Sequence, residues 1–137
     1  MSDFSGLYNL RVGKESDKNF VLATFLRGLY YGESFFSRVP KAVFFDRYKL
    51  VAQALVEDAN TILMVACLPE DPDVILGYSL CSNNGETLYW VFVKTTWRKH
   101  GIARSLMPSH IKYVAHLTRL GDSLLYKLPG AEFNPFF

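Results

Sequence analysis

The sequence predicts an α/β fold in which a mixed, mainly antiparallel sheet is flanked by helices, in the order β-α-α-β-β-β-α-β-α-β. Three observations carry this expectation. Two long segments near the start place apolar residues at helical spacing. Three β-rich runs then follow one another with only turns between them, as in an antiparallel meander. Finally, a strand-like run passes through a basic turn into a helix, in "VFVKTTWRKHGIARSL", residues 91–106.

Taken in order, "YNLRVG" reads as a short strand. "KESDKNFVLATFLRGLYY" reads as a helix that Ser16 or Asp17 can cap, with Phe20, Leu22, Phe25, Leu26 and Leu29 along its apolar face. "GESFFSRVP" is a break punctuated by Gly32 and Pro40. "KAVFFDRYKLVAQALVED" is a second helix, apolar at Val43, Phe44, Leu50, Val51, Ala54 and Leu55. "TILMVACL" is a strand. "PEDPD" is a turn, because two prolines among acids cannot continue a ladder. "VILGYSLCS" and "TLYWVFV" are the next strands, joined through "NNGE", whose Asn-Gly accepts positive φ cheaply. After the basic turn a helix runs to near Pro108. "IKYVAHLT" fits a strand, "LGDSLLYKL" a last short helix, and "AEFNPFF" a last strand or extended tail.

At 137 residues, half of them hydrophobic, the chain suits a single domain spanning 1–137. No apolar run reaches the length that crosses a membrane, and "MSDFSGLYNLRVG" lacks the zones of a signal peptide. Cys67 and Cys81 lie in apolar runs, at a spacing that matches neither a zinc site nor a redox pair. These features predict a cytoplasmic protein with buried free thiols, no bound metal and no membrane partner.

The net charge of +2 conceals an asymmetry. Residues 87–121 contain no Asp or Glu, yet carry Lys94, Arg98, Lys99, Arg104, Lys112, Arg119 and all three histidines. A basic block in a folded segment points to an anionic partner. At its centre a helix is expected to begin, where unpaired N–H groups and the helix dipole attract anions. Gly101 removes the side chain that would block a ligand from the backbone, and Ala103 keeps the next position small. The chain contains neither a P-loop string nor GxGxxG after its first strand, so the cradle is not of those kinds.

"VFVKTTWRKHGIARSLM" resembles the acyl-CoA-binding motif of the GNAT superfamily of N-acyltransferases: a strand, a short turn, then [QR]xxGx[GA] opening a helix. Here it reads Arg98-Lys99-His100-Gly101-Ile102-Ala103. "LRVGKESDKNFVLATFL" is similar to the family's opening strand and helix, and "SLLYKLPGAEF" to its closing segment. The resemblance implies a GNAT-like fold and an acetyl-CoA-dependent N-acetyltransferase. The pantetheine arm would lie in a splay between the fourth and fifth strands, on the main chain of Val91, Phe92 and Val93. The pyrophosphate would sit on Lys99, His100, Gly101, Ile102, Ala103 and Arg104, with Arg98 beside them. Tyr126 would protonate the leaving sulfur, and a primary amine would arrive from the side of the first two helices.

The resemblance leaves the base open. Where some members carry a glutamate, this chain has Thr87, and Glu86 should face the other way. A water chain, Glu33 or His116 are the candidates. Arg119 stands where many members have asparagine. The aromatic excess around "YYGESFF" would shape an acceptor groove or cover a dimer contact, and a C-terminal edge strand could pair with a second subunit. Two other readings compete: a catalytically silent GNAT-fold protein that binds acyl-CoA or a partner, and a nucleic-acid module. Basic residues clustered at one helix start, not spread over a broad face with aromatics, argue against the last.

Overall fold

The computed structural model describes residues 7–32, 34–115 and 131–133. Six strands form one sheet whose order in space follows the chain: β1 (Asn9–Val12), β2 (Thr61–Leu68), β3 (Asp71–Ser82), β4 (Thr87–Val93), β5 (Tyr113–Val114) and β6 (Glu132–Phe133). β1 to β4 pair antiparallel, whereas β4–β5 and β5–β6 are parallel. This is the mixed, mainly antiparallel sheet that the sequence predicts. The helices are α1 (Lys18–Gly32), α2 (Ser34–Ser37), α3 (Lys41–Glu57) and α4 (Ile102–Leu106). The expected helix in "LGDSLLYKL" lies outside the described residues.

α1 and α3 cover one face of the sheet. α1 buries Val21, Phe25, Leu26, Leu29 and Tyr30 against Val65, Tyr78, Leu80 and Trp90. The helix comes so close that a Cβ on Gly28 would stand 2.8 Å from the Trp90 ring. α4 covers the opposite face, where Ile102 and Leu106 pack with Tyr8, Ala66, Leu76 and Val93.

Three details depart from the sequence reading, while Gly32 and Pro40 punctuate the chain as expected. The break at "GESFFSRVP" contains α2, a single helical turn too short to show a period. Gly32 ends α1, and Pro40, whose carbonyl accepts the Phe44 N–H at 3.0 Å, starts α3. Pro72 is not in a turn but inside β3. The ladder pairs Leu68 with Asp71 and Cys67 with Ile75, so residues 72–74 bulge out and the proline needs no ladder bond. α3 buries Phe44, Ala52, Leu55 and Val56, leaving Val43, Leu50, Val51 and Ala54 exposed. The choice of face follows the aromatic cluster: Phe44 stacks on Tyr48 at 5.4 Å and contacts Tyr30 at 4.9 Å and Phe36 at 5.2 Å.

That cluster also revises the expected acceptor groove. Tyr30, Phe36, Phe44, Phe45 and Tyr48 pack on one another between the helices, whereas Tyr31 is exposed. Much of the aromatic excess is therefore interhelical core.

The entry into α1 is set by one buried ion pair. Asp17 is 3% exposed and takes both guanidinium nitrogens of Arg11, at 2.7 and 2.9 Å. It also accepts the Lys14 N–H at 2.8 Å. Asp17 thus ends a 3₁₀ turn (Glu15–Asp17) ahead of α1 and ties it back to β1. Arg11 also donates to the Pro72 carbonyl, fixing the β3 bulge.

Candidate functional site

The site is built on β4. Lys94 N–H donates to Leu76 O at 2.8 Å, which makes residues 94 and 76 a hydrogen-bonded pair. Antiparallel pairs alternate, so by phase Phe92 and Trp90 turn their main-chain groups to β3, opposite Tyr78 and Leu80. Val91 and Val93 then turn theirs to the outer edge. Cys81 faces Leu88 and Leu80 faces Trp90, leaving Tyr89 as an extra residue in a bulge. Among the described residues β5 pairs on the outer edge at Thr87 and Leu88, and Ala115 N–H donates to Leu88 O there at 3.0 Å. Among the described residues, no strand pairs with the outer edge at 89–93. The side chains of Val91 and Val93 are buried on the α4 face, so what this edge offers is main chain.

The turn after β4 is held by its own bonds. Trp97 N–H donates to Lys94 O at 2.8 Å, closing a 3₁₀ turn (Thr95–Trp97). Arg98 Nε donates to Val93 O at 3.1 Å. Lys99 has φ 68° and Gly101 φ 78°, both left-handed. That conformation is routine for glycine and uncommon for lysine. A Cβ on Gly101 would meet nothing within 4 Å, so the backbone here faces open space. The first main-chain bond at the helix start is Ser105 N–H to Gly101 O, 3.0 Å. Hence Ile102, Ala103 and Arg104 have no carbonyl one turn back within the helix to donate to.

α4 has five residues and ends ahead of Pro108 as expected, so its dipole is small. Positive charge at this point comes chiefly from side chains. Arg98, Lys99 and Arg104 are exposed around the turn, and His100 is half-buried with its ring 6.2 Å from Trp97. Among the described residues, the other two cations of the basic block lie elsewhere. Lys94 lies over the Phe20 ring on the α1 side, 5.8 Å from its centroid, and Lys112 pairs with Glu86 at 3.3 Å.

Sequence reasoning missed what holds α4 in place. Ser79, fully buried on β3, donates to Leu106 O at 2.8 Å, and the Tyr8 hydroxyl bonds Ser105 Oγ at 2.8 Å. Neither residue belongs to a motif, but a serine within an apolar strand was the available signal. Tyr89 was also passed over. Its half-buried ring packs toward the α1–α3 face, one residue past the last β4–β5 pair among the described residues. Burial, and then the charge of Asp58, raise its pKa, keeping the phenol neutral. Thr87 is half-buried opposite Tyr113. Tyr126, Glu33, His116 and Arg119 lie outside the described residues. Among the described residues no group of three or more His, Cys, Asp or Glu could hold a metal, and no helix is long and apolar enough to cross a membrane.

No family model matches the sequence, and no curated protein does. Solved structures do match by shape. The histone acetyltransferase HPA2 and related acetyltransferase of Corynebacterium glutamicum superposes with TM-score 0.60 at 13% identity, over 89% of this chain and 83% of that one. The ribosomal-protein-alanine N-acetyltransferase of Brucella melitensis biovar Abortus gives 0.55 at 11%, over 88% and 90%. YjaB of Escherichia coli, in its apo form, gives 0.52 at 20%, over 73% of this chain and 61% of that one. The chain has the GNAT acyltransferase fold.

Proposed function

We propose that the protein is an N-acyltransferase that moves an acetyl group from acetyl-CoA to a primary amine. The observation that carries this reading is the outer main-chain edge of β4 at 89–93, unpaired by any strand among the described residues, leading into an exposed turn with two left-handed residues and three cations. That neighbours of the same fold are named acetyltransferases supports it. Val91 and Val93 would bond the amides of the pantetheine arm, with Phe92 between them. The N–H groups of residues 99–104 would hold the pyrophosphate, flanked by Arg98, Lys99 and Arg104. Gly101 would let the phosphates approach the backbone.

The chemistry asks three things of the protein: a neutral amine, a donor to the carbonyl oxygen as charge develops, and a proton for the leaving sulfur. Main-chain N–H on the open edge suits the second. Tyr126 would supply the third, a task a phenol suits because it is neutral at pH 7. The amine attacks the thioester directly, so a C–N bond forms as the C–S bond breaks. The amine's proton leaves through water, Glu33 or His116. No covalent enzyme intermediate is needed, which fits the burial of Cys67 and Cys81. A catalytically silent acyl-CoA-binding or partner-binding protein is the second reading, favoured by Thr87 in place of a glutamate.

Calorimetric titration with acetyl-CoA, beside Gly101→Trp, tests the reading. Micromolar binding lost in the variant is the expected result. No binding by folded wild-type protein would overturn it. If binding holds, Tyr126→Phe should lower kcat on an accepted amine by about 10²–10⁴. Binding without turnover on any amine favours the silent protein.

A further inference from the structure

α3 carries two apolar faces, and the fold uses one. On the other, Val43, Leu50 and Val51 are 50%, 67% and 45% exposed, with Ala54 exposed beside them. Positions 43, 47, 50, 51 and 54 share one side of a helix, and 43/50 and 47/54 are each one heptad apart, the spacing of a helix–helix seam. Arg47 is the one charged residue within this row.

Charge along the helix names the occupant. Lys41, Asp46, Arg47 and Lys49 give the first part of α3 a net charge of +2, while Glu57 and Asp58 end it with −2, against which Lys18 sets one positive charge at Glu57, 3.0 Å away. A parallel copy would set like ends together. An antiparallel copy sets each basic part against the acidic end of its partner. With the two-fold axis beside Leu50, that side chain meets the partner's Val51, and Arg47 crosses the partner's Ala54 toward the acidic end that the partner's Asp58 closes. We propose that this face of α3 is the contact of a two-fold symmetric dimer, in which the two α3 helices pack antiparallel through Val43, Leu50, Val51 and Ala54. Such an interface is self-complementary, as a closed dimer requires.

Light scattering on a sizing column, with engineered cysteines, tests the proposal. Wild type should run at about twice 15.6 kDa, Leu50→Glu at the single-chain mass with an unchanged circular dichroism spectrum, and Val12→Glu, altered on the β1 edge, as wild type. Both native cysteines are buried, so a surface thiol reacts alone. On oxidation Leu50→Cys should cross-link into dimers within minutes, and Val12→Cys should not. A single-chain mass for wild type at every concentration up to about 10⁻⁴ M, near the weak end of specific association, would overturn the proposal. So would a dimer that survives Leu50→Glu, or one that cross-links through position 12 and not position 50. If Leu50→Glu fails to fold, the cross-linking pair still decides.

Discussion

Arg98 Nε donates to the Val93 carbonyl at 3.1 Å, joining the last residue of β4 to the basic turn that follows it. The bond fixes where the guanidinium sits relative to the outer edge of β4. A lysine would keep the charge but could not place a planar fork there. Arg98→Lys should therefore weaken acetyl-CoA binding by about two- to tenfold, the worth of one hydrogen bond. Calorimetry at low and high salt separates the two contributions. The Arg98→Lys loss should change little with salt, whereas Lys99→Ala, which removes exposed charge, should cost less as salt rises. Equal salt dependence for both variants would count against a positional role for Arg98.

The Arg11–Asp17 pair makes an acid-sensitive contribution to stability. The Arg11 hydrogen bonds, opposed by burial and helped by the Lys14 N–H, hold the Asp17 carboxyl below the usual range. Its stabilisation is thus complete above the unfolded-state pKa, near 4. It is lost as pH falls through the lower folded-state value. Asp17→Asn should cost about 1–3 kcal/mol at pH 7, as expected for weakening charge-assisted hydrogen bonds in a part-buried pair. The gap between wild type and variant in urea titrations should narrow below about pH 4. A gap independent of pH would mean that Asp17 acts by shape alone.

Cys81 tests whether the thiols are spectators. Burial pushes its thiol up to about 11, and Cys67 is buried as well. The thiolate is the reactive form, so neither cysteine should react quickly with a disulfide reagent at pH 8 in native protein. Both should react at once in denaturant. Cys81→Ala should keep acyl transfer within a few-fold of wild type. Loss of turnover with binding intact would instead make the thiol a participant.

The parts of the fold legible in sequence were those with strong local signals. The strands "TILMVACL" and "TLYWVFV" match β2 and β4 end to end, because β-branched and aromatic runs stop at clear turn residues. The open backbone at Gly101 was legible because glycine has no side chain to cover it, whereas the left-handed turn at Lys99 carries no such mark in the sequence. Other features depend on partners distant in sequence. Pro72 could join a strand because Arg11, 61 positions away, holds its carbonyl. Which face of α3 was buried depended on where Tyr30 and Phe36 lay, so Val43 and Leu50 looked as much like core as Phe44 did. The end of α4 was local and legible: Met107 turns extended at φ −97° and ψ 140° ahead of Pro108, as a residue before proline prefers.

α4 is held to the sheet at two points of unequal strength, and their difference is measurable. Ser79 is fully buried, and its Oγ donates to Leu106 O, a carbonyl at the helix end with no later N–H in the helix to bind it. Ser79→Ala leaves that oxygen buried without its donor, at a cost of about 1–3 kcal/mol. Tyr8 bonds the exposed Ser105, whose Oγ also donates to Gly101 O at 2.9 Å. Tyr8→Phe therefore strands no atom and should cost well under about 1 kcal/mol. In thermal melts Ser79→Ala should lower Tm by several degrees and Tyr8→Phe by a degree or so, at about 3–6 °C per kcal/mol for a chain of this size. Because Ser79 sets the position of the α4 backbone, its loss should also weaken acetyl-CoA binding, with Tyr8→Phe close to wild type. A Ser79→Ala protein that melts early but binds normally would show that the cradle keeps its shape without this anchor.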